Sequence, residues 1–162
     1  NIYLNMPNWC DNDLYVIGEI IDVKLFKSEN IINNELDFSL KLPKPDGVDW
    51  YDWNMHNWGT KWNCKNSVIN DIMPDDDDDQ KYMIVISFET AWSPPLKWIK
   101  YIAEQYPTLA IHNKYSEINC DFSGLFSVKD KDVLCDSYGD YGEYHGYDNF
   151  TDTDSEFMTD SE

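Results

Sequence analysis

One stretch of the chain, Trp50–Asn63, combines aromatic rings, an imidazole and a cation at close spacing. It reads WYDWNMHNWGTKWN and holds four of the seven tryptophans. Each large ring carries about 150–250 Å² of surface that must be buried or meet a ligand. The stretch is therefore either a structural plug or the wall of a pocket for a planar or apolar group. The pocket interpretation assigns ligand binding to Trp53, His56, Asn57, Trp58, Lys61, Trp62 and Trp92, with Asn63 as a further polar contact and Lys61 as a cation–π partner or anion contact.

His56 is the natural candidate for acid–base chemistry. Asp49 and Asp52 precede it, and a carboxylate can orient an imidazole that acts as a general base. A complete catalytic set also requires a nucleophile. Cys64 and Thr60 are nearby, but neither stands in a recognisable nucleophile context. We therefore predict no catalytic residues.

Metal binding has weaker support from the spacing. A site assembled from His56, Cys64, Cys10 and Asp52 matches no zinc framework. The run Asp75–Asp79 lacks the glycine and the terminal glutamate of a calcium-binding loop. Because adjacent like charges repel, we interpret this run as a solvated hairpin tip or a short insertion. We predict neither a metal site nor a cofactor.

The charge of the chain indicates the kind of partner. The formal net charge is −19, and every basic residue is lysine. Without the Asp75–Asp79 run and the nine carboxylates of residues 136–162, the net charge would be −5. The absence of arginine argues against direct nucleic-acid binding, whereas exposed carboxylates suit a protein partner with a basic surface. The residues assigned to that partner are Asp75, Asp76, Asp77, Asp78, Asp79, Tyr141, Tyr144 and Tyr147.

The four cysteines are widely separated, and they form no CxxC pair. We interpret them as buried free thiols in a reducing compartment. The sequence shows no signal peptide and no run of 18 apolar residues. The expected location is therefore intracellular, without a membrane anchor.

Apolar alternation predicts strands over residues 9–17, 35–42, 83–90, 109–115, 122–128 and 133–135. A short helix is expected to start at an Asp22 cap, with Leu25 and Phe26 facing inward. A second helix is expected to follow Ser93 as its N-cap and to end before Pro107. The asparagines and the glycine of the Trp50–Asn63 stretch predict an ordered loop there instead of a helix.

The order of these elements is that of a ferredoxin-like split βαβ sandwich. This α+β fold has an antiparallel sheet with two helices on one face. A long aromatic loop with the aspartate-rich insertion, residues 43–82, would join the second and third strands. We predict one domain over residues 1–135 and an acidic tail rich in glycine and tyrosine over residues 136–162, with the composition of a disordered segment.

Four short motifs resemble the Api92-like proteins of phages, plasmids and related mobile elements. They are Pro7-Asn8-Trp9-Cys10 followed by Asn12, Leu14, Val16 and Gly18; Tyr51-Asp52-Trp53; NWGTKWN at residues 57–63; and Thr90-Ala91-Trp92-Ser93-Pro94-Pro95. The resemblance extends over about residues 6–128. It implies a ferredoxin-like domain and a viral or mobile-element origin, and it implies no reaction mechanism.

Three functional hypotheses from different classes follow. The first is a non-enzymatic interaction protein that binds a host or viral protein through its acidic segments. The second is a small-ligand or nucleotide-binding protein, with or without hydrolytic activity, that uses the aromatic stretch. The third is an acidic mimic of nucleic acid that acts against a host defence factor.

Overall fold

The structure is a computed structural model that describes residues 6–72 and 81–142. Its helices are α1 (Ile20–Asn30), α2 (Trp50–Asn57) and α3 (Leu96–Gln105). Its strands are β1 (Trp9–Glu19), β2 (Ile31–Ile32), β3 (Glu35–Leu36), β4 (Lys65–Ile72), β5 (Lys81–Ala91), β6 (Ala110–Glu117), β7 (Phe122–Lys129) and β8 (Asp132–Gly139). None of the described helices has the length and apolar character needed to cross a membrane.

Six strands form one antiparallel sheet in the order β4-β5-β1-β6-β7-β8. Two units, β1-α1-β4 and β5-α3-β6, interleave so that β1 and β5 lie side by side. This is the ferredoxin-like arrangement, and β7 and β8 extend the sheet beyond it. The predicted α+β class and the ferredoxin-like antiparallel sheet are therefore confirmed. The helix α2 and the small β2-β3 sheet were not predicted.

Alternating burial along the central strands places the hydrophobic core on one face of the sheet. Residues at even positions are buried from Cys10 to Val16 in β1 and throughout β5, and their neighbours at odd positions are mostly only partly buried. Helix α1 covers this face with Val23 and Phe26, and α3 covers it with Trp98, Ile99 and Ile102. The two helices and the sheet therefore share one core.

The predicted strand over residues 35–42 is wrong beyond its first two residues. The Asp37 carboxylate accepts hydrogen bonds from the backbone N–H and the hydroxyl of Ser39, at 2.8 and 2.6 Å. This local bonding turns the chain, so Phe38 is buried from a turn and Leu40 is exposed. The second strand of the ferredoxin-like unit is β4, after the aromatic stretch. The aromatic stretch therefore lies between α1 and β4, and only the segment around Asp75–Asp79 joins β4 to β5.

Both predicted helix caps are also wrong. Helix α1 begins at Ile20 after Glu19, so Asp22 lies in its first turn. A carboxylate there interacts favourably with the positive end of the helix dipole. Phe26 is buried as predicted, but Leu25 is half exposed. Helix α3 begins after Pro95, whose ring pre-sets the backbone angle, and the Ser93 hydroxyl is used elsewhere.

The last strand is longer than the predicted residues 133–135. β8 runs from Asp132 to Gly139 and pairs with β7, with Tyr138 opposite Gly124. Tyr138 therefore belongs to the sheet and not to the tail. The rest of the predicted tail from residue 143, including Tyr144 and Tyr147, lies outside the described residues, as does the Asp75–Asp79 run.

All four cysteines are free, as expected, but they are not all buried. Cys10 is buried, Cys64 and Cys135 are half-buried, and Cys120 is exposed. Burial raises the pKa of the Cys64 thiol to about 12, and it raises the pKa of Cys10 as well. Both thiols are therefore protonated at neutral pH.

His112 on β6 gives the fold a defined sensitivity to acid. Its side chain is only 2% exposed, and Nδ1 lies 2.7 Å from the Ser127 hydroxyl. Burial lowers its pKa from 6.5 to about 4. Between these values the unfolded chain binds a proton that the folded chain refuses, so stability falls as the pH falls through this window.

His112 should lower the free energy of unfolding by about 3 kcal/mol once the pH is below 4. We expect His112→Gln to remove this part of the pH dependence. Urea unfolding at several pH values measures it. His56→Gln is the matched control, because His56 is exposed. An unchanged slope between pH 6.5 and 4 in the His112 variant would contradict the buried neutral imidazole.

Candidate functional site

The aromatic stretch starts with a helix, so the predicted loop is wrong over residues 50–57. The Asp49 carboxylate accepts a hydrogen bond from the Asp52 backbone N–H at 3.0 Å and caps α2. The helix ends where the Asn54 carbonyl accepts from the N–H groups of Trp58 and Gly59, at 2.8 and 3.1 Å. Gly59 has φ +83°, the left-handed conformation that ends many helices. A helix of only eight residues tolerates the asparagines that argued against it.

Trp58 is a structural plug. It is 6% exposed, and its Nε1 donates to the Leu42 carbonyl at 3.0 Å. Its ring meets Trp53 and Phe38 edge-on, with centroids 5.5 and 5.8 Å apart. Such contacts stabilise packed aromatic rings. Trp58 is thus part of the core, and Trp53 is partly buried against it.

Trp62 lies in a separate cluster at the start of β1. The Trp62 ring centroid is 6.2 Å from that of Trp9, and Lys61 Nζ lies 4.5 Å from the Trp62 ring centroid. Lys65 Nζ lies 5.3 Å from the Trp9 ring and 5.7 Å from the Trp62 ring. The expected cation–π partner of Lys61 is therefore Trp62, and Lys65 is a second cation that the sequence did not indicate.

His56 is not oriented by a neighbouring carboxylate. Its Nδ1 lies 2.9 Å from the backbone carbonyl of Asp52, one helical turn earlier. Asn57 Nδ2 likewise donates to the Trp53 carbonyl at 2.9 Å. Over residues 6–72 and 81–142, no group of three His, Cys, Asp or Glu side chains is placed to hold a metal ion.

Two distant motifs meet at the start of α3. The Thr60 hydroxyl donates to the Ala91 carbonyl at 2.9 Å, and the Ser93 hydroxyl donates to the Gly59 carbonyl at 2.8 Å. The backbone N–H of Trp98 donates to the backbone carbonyl of Trp58 at 3.2 Å. Two hydrogen bonds thus join NWGTKWN to TAWSPP, a third joins NWGTKWN to α3, and we call this contact the Gly59 junction.

Trp92 protrudes from this junction. Its φ is +69°, a conformation that is rare for a bulky side chain. Its N–H donates to the Asn8 carbonyl at 2.9 Å, so the first motif also reaches the junction. The residue is 46% exposed. Strained residues of this kind persist only when their surroundings hold them, and they cluster at binding and catalytic sites.

An apolar groove of about 390 Å³ opens beside Trp92, and we call it the aromatic groove. Its walls come from the junction, from the first turn of α3 and from the end of the sheet. The lining residues are Gly59, Trp92, Ser93, Pro94, Leu96, Lys97, Tyr115, Phe122 and Tyr138.

Register brings the three sheet aromatics together. Tyr115 pairs with Gly124, and Gly124 pairs with Tyr138, so these residues form one row across β6, β7 and β8. Phe122 contacts both tyrosines, with centroids 6.2 Å from Tyr115 and 5.9 Å from Tyr138. A Cβ at Gly124 would collide with the Tyr115 ring and come within 2.6 Å of the Ser137 carbonyl. Glycine is therefore needed for Tyr115 to lie across β7.

Of the predicted ligand-binding residues, only Trp92 lines this groove. Trp58 is packed inside and Trp53 is partly buried against the core, Trp62 and Lys61 belong to the other cluster, and His56 is exposed. Tyr141 lies just after β8, and its N–H donates to the Asp121 carboxylate at 3.2 Å.

Sequence reasoning missed Tyr115, Phe122, Tyr138 and Lys97 as groove residues. A signal existed in β7, where Gly124 interrupts the apolar face that Phe122 begins. Isolated glycine in a strand marks a close approach of another group.

The Gly59 junction can be tested with two glycines that share a positive φ. A Cβ at Gly59 would lie 3.3 Å from the Lys97 backbone nitrogen, whereas one at Gly47, with φ +79°, would meet nothing within 4 Å. We expect Gly47→Ala to cost about 1 kcal/mol through the left-handed backbone alone. We expect Gly59→Ala to cost roughly 1–3 kcal/mol more, because α3 must also shift. Equal losses in urea unfolding would show that the junction is not tightly packed.

A crystal structure of a protein api92 from Yersinia pseudotuberculosis is similar at 17% identity with a TM-score of 0.48, over 65% of this chain and 39% of that chain. The chain thus spans well under half of that protein's length. Curated proteins give no match. The family model described as the ferredoxin-like domain in Api92-like protein matches residues 57–156, more than half of the 162 residues. The chain therefore belongs to the Api92-like family.

Proposed function

We propose that this protein is a non-enzymatic, intracellular interaction protein that binds a segment of a partner protein in the aromatic groove. The observation that carries the proposal is Trp92, held half exposed in a strained conformation at the wall of an apolar groove. A backbone conformation of this kind costs about 1–3 kcal/mol, and it persists only where the surrounding structure holds it. A partner bound in the groove would bury the exposed part of the Trp92 ring.

The composition of the groove favours a protein partner. Tryptophan and tyrosine are the residues that most often dominate the energy of protein–protein interfaces. Here Trp92, Tyr115 and Tyr138 lie around one groove, together with Phe122. Lys97 adds a long aliphatic stem, whose methylene groups extend the apolar wall. The groove offers rigid contact area at little cost in side-chain entropy.

Three exposed carboxylates that flank the groove residues outnumber the one lysine that lines the groove, Lys97, and they favour a basic partner. Asp121 directly precedes Phe122, and Asp136 and Asp140 stand two residues either side of Tyr138. All three carboxylates belong to exposed residues. Carboxylates at the rim of an interface increase the rate of association with a cationic partner. That contribution weakens as salt is added.

The state of the candidate nucleophiles supports a binding role over catalysis. The raised pKa values of Cys10 and Cys64 keep both thiols protonated, and the thiolate is the nucleophilic form. His56 contacts a backbone carbonyl and not a carboxylate.

A second candidate function is small-ligand binding in the same groove. Its volume of about 390 Å³ falls in the range of small-molecule sites, and its walls are apolar and aromatic. Nucleotides or other planar ligands would then stabilise the folded protein by about 2.7 kcal/mol at 100 times the Kd, and the melting temperature would rise. A shift that Trp92→Ala abolishes would favour this candidate over the protein partner.

The proposed function is tested by replacing Trp92. We expect Trp92→Ala to lose the proteins that the immobilised full chain captures from a lysate of its source cells. Trp50→Ala is the matched control, because Trp50 is also 46% exposed but does not line the groove. Mass spectrometry of the captured proteins measures the difference. If the Trp92 and Trp50 variants capture the same proteins in equal amounts, the groove is not the binding site.

A second variant separates binding from stability. Trp92→Gly removes the same ring but tolerates the positive φ, so it should be more stable than Trp92→Ala by about 1 kcal/mol. Both variants should nevertheless lose the partner. Recovery of binding in the glycine variant would mean that the alanine variant failed through misfolding.

A further inference from the structure

The outer edge of β8 borders the aromatic groove. β8 pairs with β7 on one side, and no other described strand pairs with it. In an antiparallel strand, alternate residues point their N–H and C=O groups away from the partner. Such an edge can pair with another extended chain.

The other edge of the sheet is covered. β4 is bordered by β3, whose Leu36 N–H donates to the Ser67 hydroxyl at 3.1 Å. Ser67 N–H in turn donates to the Glu35 carboxylate at 3.1 Å. The two edges therefore differ, and only the β8 edge lacks such a cover among the described residues.

β8 lacks two of the usual protections of an edge strand. It has no lysine or proline, and Val133, Leu134 and Tyr138 are 44%, 44% and 68% exposed. A shift in pairing at Leu134 interrupts the ladder near its start. The regular part of the edge is thus Cys135–Gly139, directly beside the groove.

The negative charge of β8 determines which kind of strand can pair with its outer edge. Asp132, Asp136 and Asp140 are exposed, and no lysine occurs from Asp132 to Gly142. Two copies of β8 side by side would bring these carboxylates together, which disfavours self-association. A strand that carries lysine or arginine would meet opposite charge.

Register fixes where the side chains of an added strand would lie. Asp136 and Tyr138 are two residues apart, so they share a face of β8, and Tyr138 lines the groove. The row Tyr115, Gly124 and Tyr138 would continue onto the added strand. A residue opposite Tyr138 would therefore extend over the groove, and a residue opposite Asp136 would lie beside its carboxylate.

We propose that the β8 edge at Cys135–Gly139 accepts an extended segment of a basic protein partner as a seventh strand of the sheet. The segment places a lysine or arginine opposite Asp136 and an aromatic or aliphatic residue opposite Tyr138. Backbone hydrogen bonds hold the segment, and the alternate side chains specify it. This inference rests on the proposed function and states how the partner binds.

The test uses the full chain and a blocked synthetic peptide, Thr-Lys-Thr-Phe-Thr-Lys-Thr, which carries the cation and the ring two residues apart. Fluorescence anisotropy measures affinity, and amide hydrogen exchange by NMR locates the contact. We expect the peptide to slow exchange at alternate residues of Cys135–Gly139. A peptide with glutamate in place of lysine should bind roughly tenfold more weakly.

Two peptide analogues isolate strand pairing from side-chain contact. Each is N-methylated at one of the two alternating sets of amides. Because only one set faces β8, one analogue should lose binding and the other should keep it. Equal affinity of the two analogues would overturn the inference, and so would the absence of binding at millimolar peptide.

A charge swap gives the matched protein variants. Asp136→Lys should bind the lysine peptide roughly tenfold more weakly and the glutamate peptide more tightly. Asp46→Lys is the control, because Asp46 is exposed on the loop before α2. Amides on the outer side of β8 that are already protected in the free protein would also overturn the inference.

The outcome is distinguishable from failure of the proposed function. If partner capture depends on Trp92 but the peptide leaves β8 exchange unchanged, the groove binds without strand addition. If neither Trp92 nor β8 affects capture, the proposed function itself is wrong.

Discussion

The structure depends on the Gly59 turn fitting against the start of α3. The chain reverses at Gly59 with a positive φ, and it does so where a Cβ would lie only 3.3 Å from the Lys97 backbone nitrogen. Hydrogen bonds at 2.9 and 2.8 Å then tie Thr60 and the Gly59 carbonyl to the end of β5. A turn bound on both sides cannot relax, so it fixes the helix and the strand relative to each other.

That constraint explains why one tryptophan stands apart from the rest. Trp58 is held under the turn, with its ring among the core aromatics and its indole bonded to Leu42. Trp92 follows Ala91 at the same contact, with its backbone in the left-handed conformation at φ +69°. The packing of one ring therefore supports the exposure of the other. A rigid base of this kind is what a preorganised binding surface needs.

Much of the fold follows from local sequence patterns. β5 alternates strictly and α3 places its apolar residues at helical spacing, so both were predicted within a few residues. The strand over residues 35–42 also alternates, but the Asp37 carboxylate bonds the chain into a turn that periodicity does not reveal. β4 was missed because its residues are mostly polar and exposed. Gly124 in β7 was a local signal for a close approach, but it did not identify the groove. Tyr115, Gly124 and Tyr138 meet only through the register of three strands, and register is not visible in one sequence.

The most direct test of this account is hydrogen exchange of the seven indole N–H groups, followed by NMR on the native protein. The account predicts that the Trp58 indole proton exchanges only through global unfolding, because it is buried and bonded to the Leu42 carbonyl. The Trp92 and Trp50 indole protons should exchange quickly from the folded state, since both side chains are half exposed. A Trp58 proton that exchanges as fast as that of Trp50 would contradict the central claim that the turn and its ring hold the site together.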